Sequence, residues 1–364
     1  MKKVLFVGMD VHKNSINVAI AEEGGETRHY GKIPGELKAL DTLVRKLVST
    51  GHEPCFAYEA GPGGFHVYRH LQKHGLACIV AAPSLIPKKA GDRIKTDQRD
   101  AMSLARLFRA GELTPIHVPD EEDEAMRDMF RARGDAKGVQ RKSRQQLQAF
   151  LLRHGFVFHG ATNWSKMHYR WLNDLNVGSH IRQIVLQEYV DAEREAGERA
   201  QRITQHITQA ASDWKRRHEV NAYKSFRGVS LLTAVGIAAE VGDMDRFKNA
   251  KRFMAFVGLV PSEHSSGASV RRGPITKTGN TNVRRLFVES AWSYRLKARK
   301  TGELLKRQVD APAAVRELSW KAQLRLCSRY QRLCGKGKRK QNVIVSIARE
   351  LSGFIWAAGK LANV

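Results

Sequence analysis

The sequence predicts an α/β N-terminal domain, a helical, coiled-coil-like middle and a mainly α C-terminal domain. Three observations predict it. Up to about residue 118, apolar runs of strand length alternate with helical spacings, the pattern of a mixed sheet flanked by helices. Farther on, Ala192, Ala196, Ala200, Ile203, Ile207, Ala210 and Trp214 recur at steps of three or four, the mark of one long helix. The rest of the chain is helical in pattern and strongly basic.

The elements follow in order. Val4 to Asp10 is an apolar run that ends in an acid. After the polar break His12-Lys13-Asn14, the stretch Asn14 to Ala21 returns as the second strand of a hairpin. Leu37 to Val48 has helical spacing through Leu37, Leu40, Leu43, Val44 and Leu47. Cys55 to Glu59 is a strand closed by the turn Gly61-Pro62-Gly63-Gly64. A helix over Phe65 to His74, a strand over Ala77 to Ala82 and a helix over Asp97 to Ala110 complete the first zone, residues 1–120.

The second zone, 121–218, opens beside the acids Asp120, Glu121, Glu122, Asp123 and Glu124, a natural helix start, and then turns basic and Gln-rich. Its stripe either packs within its own chain or serves self-association. The third zone, 219–364, contains Phe226-Arg227-Gly228-Val229 followed by Thr233 to Asp243. Two short helices about glycine turns would form either a helix-hairpin-helix suited to a phosphate or a plain helical hairpin. Between Arg316 and Lys340 the bases Lys321, Arg325, Arg329, Arg332, Lys336, Lys338, Arg339 and Lys340 face one acid, Glu317, a run that is either a solvated charged face or, in so basic a chain, a nucleic-acid contact, and Gly335 with Gly337 predict that part of it is a flexible loop.

A chain of 364 residues holds two or three compact units. Its 62 Lys and Arg against 36 Asp and Glu leave a net charge of +26, too basic for a typical small-molecule enzyme. Such an excess points to a polyanion, because each cation laid on a phosphate releases condensed counterion. A membrane is the rival polyanion. No run of 18 apolar residues is present, and Met1-Lys2-Lys3 leads straight into a strand-like run, so a soluble, cytosolic protein is expected. Cys55, Cys78, Cys327 and Cys334 have no C-x-x-C spacing, which gives neither a zinc nor a redox motif.

Four acids carry the first chemical signal. Metal-dependent cleavage of a phosphodiester needs hard oxygen ligands gathered from several segments. Asp10 and Glu59 end strands, and Asp97 and Asp100, at i and i+3, share one face of a helix. An acid at the tip of an apolar strand is costly to bury unless it is paired or metal-bound. Taken singly, each has a plainer reading: Asp10 and Glu59 as turn acids, Asp97 as a helix N-cap, Asp100 as a partner of Arg99 or Arg106. In that order the acids resemble the D, E, D, D layout of an RNase H-like nuclease of the RuvC type.

A serine segment carries the second. Gly258-Leu259-Val260-Pro261 leads into Ser262-Glu263-His264-Ser265-Ser266-Gly267, then into Arg271-Arg272-Gly273 and Lys277-Thr278-Gly279-Asn280. A serine flanked by cations can attack a DNA phosphate and hold the strand as an ester while the cations stabilise the transferring group. Ser-Gly in a loop is also an ordinary turn.

Together these stretches resemble the transposases of the insertion-sequence 110 family over nearly the whole chain. The resemblance rests on Gly8-Met9-Asp10-Val11-His12-Lys13, Glu59-Ala60-Gly61-Pro62, Lys95-Thr96-Asp97-Gln98-Arg99-Asp100-Ala101, Gly258-Leu259-Val260-Pro261, Ser266-Gly267, and Lys277-Thr278-Gly279-Asn280 followed by Arg284. It implies a RuvC-like domain whose Asp10, Glu59, Asp97 and Asp100 bind Mg2+, a coiled-coil middle, and a transposase domain whose Ser266 forms a phosphoserine link to DNA, with Ser265 as its neighbour. It further implies a structured guide (bridge) RNA that pairs with donor and target DNA, and a homo-oligomer, a dimer or tetramer, in which the metal domain of one subunit meets the serine of another. A location in the prokaryotic cytosol, associated with the nucleoid, and no membrane partner follow from the same likeness. Delegating sequence reading to base pairing leaves the protein mainly backbone and shape contacts, in keeping with the charge. Arg271, Arg272, Lys277, Asn280, Arg284, Arg285, Lys336 and Lys338 are the candidate nucleic-acid contacts. Two other readings remain: a RuvC-like endonuclease that uses metal-bound water, and a non-catalytic nucleic-acid-binding protein.

Overall fold

The structure, a computed structural model, describes residues 3–87, 96–266 and 269–362. Lys95 and Gly267, both in motifs named above, lie outside the described residues. The chain forms two compact units, residues 1–118 and 119–364.

The first unit contains β1 (Lys3–Val11), β2 (Ser15–Glu22), β3 (Thr27–Pro34), α1 (Leu37–Ser49), β4 (His52–Glu59), α2 (His66–Lys73), β5 (Cys78–Ala81) and α3 (Asp97–Arg109). The sheet runs β3-β2-β1-β4-β5. Its first three strands are antiparallel, whereas β4 and β5 are parallel to their neighbours, so the sheet is mixed as the sequence predicts. β3 has no counterpart in the sequence reading. It is an edge strand with Arg28, His29 and Lys32 in its run and no fully buried residue, so it carries no apolar signal.

The two-residue period sorts side chains to opposite faces by size. Leu5, Val7, Met9, Ile16, Val18, Ile20, Phe56 and Tyr58 form one face, covered by Leu40, Leu43 and Leu47 of α1 and by Val67 and Leu71 of α2. The other face is built from small residues. Ala19 and Ala21 meet Ala101 and Ala105 of α3, while Ala57 and Ala81 meet Leu104 and Leu107. Gly8 stands on this face, and the small side chains let α3 lie close to the sheet.

The second unit contains α4 (Glu121–Arg153), α5 (Lys166–Asp174), α6 (His180–Asp213), α7 (Arg217–Lys224), α8 (Leu231–Val241), α9 (Ala250–Phe256), β6 (Pro261–Glu263), β7 (Arg272–Ile275), α10 (Thr281–Ala291), α11 (Gly302–Arg307), α12 (Ala313–Gly335) and α13 (Lys340–Leu361). Asp120 caps α4, its carboxylate accepting from the Asp123 amide at 2.9 Å, and the acids fill the first turn. α4 and α6, of 33 and 34 residues, are each about 50 Å long. They run antiparallel, because Trp214 donates to Asp123, Arg133 to Thr204 and Gln140 to Glu193.

Ala196, Ala200, Ile207 and Trp214 are buried, and α6 packs on α4 of the same chain. The stripe is therefore covered from within and carries no argument for self-association. Midway along the pair, buried Glu193 accepts from Gln140, Arg144 and Tyr169 at 2.7–2.9 Å. Such a paired polar layer fixes the register of two helices along their shared seam.

The base of the hairpin merges into a core with α7, α8, α9, α10, α12 and α13. α7 and α8 are the two short helices expected. Their turn holds Gly228 at φ 80°, and a Cβ there would lie 2.4 Å from the Ser290 carbonyl oxygen, so the turn is packed on α10. The basic stretch from Arg316 is helical through Gly335, and only Lys336 to Arg339 form a turn, with Gly337 at φ 73°. The turn falls beside the two glycines that predict a loop, and Leu326, Cys327 and Tyr330 bury one side of α12. Among the described residues, no helix is long and apolar enough to cross a membrane.

Candidate active site

The acid site lies at one end of the small-residue face. Asp10 sits opposite Asn17 across the β1–β2 ladder. In the parallel β1–β4 pair Met9 is in register with Tyr58, so Asp10 and Glu59, next in line, leave adjacent strand ends together. Two residues earlier stand Gly8 and Ala57 on the face that receives α3, so the period of two points both acids toward that helix.

α3 contributes the other two acids. Its N-cap is Thr96, whose hydroxyl accepts from the Arg99 amide at 3.3 Å. Asp97 is therefore the first helical residue rather than the cap, which leaves its carboxylate available to the site. Asn17 Nδ2 donates to Asp97 Oδ2 at 3.5 Å. His12 Nε2 lies between two carboxylates, 3.0 Å from Asp10 Oδ2 and 3.8 Å from Asp97 Oδ1. Ligand atoms of Asp10, His12 and Asp97 all fall within 4.8 Å of one another. Glu59, exposed at the neighbouring strand end, and half-buried Asp100 are outside that trio.

The electrostatics favour a cation here. Burial pushes the Asp10 carboxyl above its usual range, the His12 ring opposes this, and the charges of Asp97 and Asp100 push it further up. Like charges drawn together at a partly desolvated position are the condition that a divalent ion relieves. Carboxylate oxygens from two strands and a helix form a hard donor set, and they fit magnesium or a similar ion. The sequence reading missed two members. Asn17 looked like a strand residue and His12 like part of a polar break. The one signal for His12 is its i+2 placement after a strand-end acid.

In the second unit, β6 and β7 form an antiparallel hairpin with Glu263 opposite Arg272. Its tip is closed by paired Ser266–Ser269 backbone bonds, each 3.1 Å. The Ser265 hydroxyl is committed to the hairpin: it donates to Glu263 Oε1 at 2.9 Å and accepts from the Arg271 amide at 3.3 Å. Ser266 is exposed at the tip, with exposed Arg271 and Arg272 on the returning strand.

The root of the hairpin is held by interlocked turns. Gly258 has φ 70° and Gly279 φ 71°, and a Cβ on Gly279 would lie 1.8 Å from the Phe256 carbonyl oxygen. Arg284 Nη1 donates to the carbonyls of Val257 at 3.1 Å and Thr278 at 2.9 Å, tying the two turns together. Behind them Glu240, its side chain wholly buried, accepts from Arg131 Nε at 2.9 Å and Nη2 at 2.8 Å, from Asn280 at 2.7 Å and from Asn282 at 3.0 Å. Asn280 also caps α10, accepting from the Val283 amide at 3.1 Å.

The eight candidate nucleic-acid contacts therefore divide. Arg271, Arg272, Lys277, Arg285, Lys336 and Lys338 are exposed. Asn280 and Arg284 are engaged in building the loop.

Comparison with known proteins gives concordant matches in both units. The family model described as Transposase IS116/IS110/IS902 family matches residues 220–306, and a DEDD transposase model of the IS110 type matches residues 7–156. The chain is similar to putative transposase y4qE of Sinorhizobium fredii, 43% identical over 360 residues that cover 98% of this chain and 89% of that protein. It is also similar to the transposase for insertion sequence element IS1533 of Leptospira borgpetersenii, 32% identical over 343 residues, 93% of this chain and 99% of that protein. A transposase for IS1111A of Coxiella burnetii is 22% identical over 80% of this chain and 78% of its own length.

Proposed function

The chain belongs to the IS116/IS110/IS902 transposase family, and from that premise we propose that it cuts and exchanges DNA strands through a covalent serine–DNA intermediate with metal assistance. The family makes it a transposase with a DEDD domain, acting on DNA and dependent on a divalent metal. The finer reading assigns the metal as Mg2+, held by Asp10, Asp97, Glu59 and Asp100. When bound, the ion supplies charge stabilisation at the phosphate oxygens.

The observation that carries the reading is the convergence of Asp10, Asp97 and His12 beside the Glu59 strand end, at the N-terminus of α3. Ser266 is the proposed nucleophile. The commitment of the Ser265 hydroxyl to Glu263 and the exposure of Ser266 at the hairpin tip support that choice of serine. In the proposed step a bond forms between Ser266 Oγ and phosphorus as the P–O3′ bond breaks. The serine loses a proton and the leaving 3′ oxygen gains one. One phosphate ester replaces another, so the energy of the cut bond is kept for rejoining to the partner strand. Arg271 and Arg272 are placed to offset charge on that phosphate.

The same proposal takes residues 1–120 as the RuvC-like metal domain, 121–218 as a helical coiled-coil region and 219–364 as the serine-bearing domain. A structured RNA from the element would guide donor and target DNA, within a homo-oligomer. The test incubates purified protein with that RNA, Mg2+ and labelled donor and target DNA, followed by a denaturing gel. An adduct that survives Ser265→Ala but is lost in Ser266→Ala and Asp10→Asn supports the reading. Cleavage without an adduct, undiminished in Ser266→Ala, replaces it with a nuclease that uses water.

A further inference from the structure

On the opposite face of the same sheet, α1 and α2 bring together three side chains for which the strand-exchange reading has no use. Asp41 lies on α1 and His70 on α2, and His74, one turn farther on, is the C-cap of α2. The i, i+4 spacing sets both imidazoles on one side of the helix, their ring centroids 4.7 Å apart. His70 Nε2 is 2.5 Å from Asp41 Oδ1, and ligand atoms of all three residues lie within 4.8 Å of one another.

We propose that Asp41, His70 and His74 form a second metal site, specific for a late first-row divalent ion of the zinc type. Two imidazole nitrogens and one carboxylate oxygen are the borderline donor set that such ions prefer, whereas the α3-face cluster offers one imidazole, His12, among carboxylate oxygens and is the harder of the two. The spacing is compatible. Four-coordinate zinc bonds of the usual length place ligand atoms about 3.3 Å apart. The Asp41–His70 contact therefore opens by under an ångström while His74 closes in. His74 is exposed, so water can complete the coordination on its side. Arg45, one turn along α1 from Asp41, donates to the Thr42 hydroxyl.

The ion would clamp α1 to α2 across the sheet face covered by Leu40, Leu43, Val67 and Leu71, far in chemistry from strand exchange and independent of that reading. A simple ion pair between Asp41 and His70 has no need of His74, and this difference is the basis of the test.

The full-length protein, treated with chelator and held in excess Mg2+, is titrated with Co2+, whose visible bands report low-symmetry nitrogen and oxygen ligation. The expected result is one equivalent of Co2+ with intense visible bands, displaced by Zn2+. His74→Gln and Asp41→Asn should each weaken binding at least tenfold, and Asp10→Asn should leave the bands unchanged. His74 is exposed, so its variant should keep the metal-free melting temperature, and Zn2+ should raise that temperature only in the unaltered protein and in Asp10→Asn. Absence of the bands, or bands that persist in His74→Gln, would overturn the assignment. Loss of the bands in Asp10→Asn would overturn it as well, by placing the ion on the other face.

Discussion

A β-carbon on Gly8 would lie 2.3 Å from the backbone nitrogen of Ala105, closer than atoms of a folded chain approach. It would also lie 2.4 Å from the Ala101 carbonyl oxygen. The helix that carries Asp97 and Asp100 can thus rest on the strand that carries Asp10 only because residue 8 has no side chain.

Gly8→Ala should therefore separate the acids. Both contacts are backbone, so no rotamer change relieves them, and α3 must move. Overpacking of this kind costs about 1–3 kcal/mol, and two backbone contacts place it at the upper end. An ångström of misplacement can lower a rate on the order of a hundredfold. We expect a lower melting temperature and metal-dependent cleavage reduced about a hundredfold. Ala105→Gly in the same chain should give no rescue, since the clash is with the amide and not the methyl group. A rescued double variant would refute this account.

His12 should set the pH at which the acid site takes up metal. Asp10 must be ionised to ligate, and burial holds its carboxyl above the ordinary value of 3.8, with Asp97 and Asp100 adding to that effect. The His12 ring works the other way. His12→Ala removes the lowering influence, so the acid limb of Mg2+ binding should move to higher pH. Thermal shift by Mg2+, measured across pH, checks the direction. A limb that stays in place or moves down would show that His12 does not act on Asp10.

Glu240 should govern acid stability of the second unit. Burial alone raises its carboxyl, but hydrogen bonds from Arg131, Asn280 and Asn282 and the Arg131 charge outweigh it and hold it below 4.5. A carboxyl lowered in the folded state adds stability above its unfolded value, and that stability is lost as pH falls through the folded value. The window is therefore below about pH 4.5. Glu240→Gln takes the carboxylate from the half-exposed Arg131 guanidinium but keeps an acceptor, which should cost about 1–3 kcal/mol at neutral pH. It should also flatten the acid limb of the stability curve. Urea midpoints at pH 3.5–7 test both; an unchanged acid limb would exclude Glu240 as its source.

The acids were legible because a strand that ends in a carboxylate breaks its own apolar pattern, and D-x-x-D at a helix start places two more on one face. The serine segment was legible as a serine flanked by cations, and the structure adds the reason for the glycines around it: Gly258 and Gly279 adopt left-handed backbone in turns that touch. Glu240 was not legible. It sits in a run of small apolar residues, and its partner Arg131 is 109 residues away. β3 was hidden because an edge strand buries too little to show a period. The stripe from Ala192 to Trp214 identified a helix but not its partner, since periodicity reports that a face is covered and not by which chain.

The last prediction separates side chains that touch nucleic acid from those that shape the loop. Arg271 and Arg272 are exposed, and the nearest acid pairs only loosely with Arg272, at 3.7 Å. Arg271→Ala and Arg272→Ala should each reduce the slope of log affinity against log salt by about 1. Their melting temperatures should stay close to that of the unaltered protein, because exposed substitutions usually change stability by less than about 0.5 kcal/mol. Arg284→Ala should behave in the opposite way. It removes donors to the Val257 and Thr278 carbonyls, which should cost about 2 kcal/mol, and should leave the salt slope nearly unchanged. Binding to a labelled duplex between 50 and 200 mM salt, on the order of the usual range for such slopes, gives the first quantity, and thermal denaturation gives the second. If Arg284→Ala lowers the slope without lowering the melting temperature, Arg284 contacts phosphate directly, and its two carbonyl bonds are incidental to the loop.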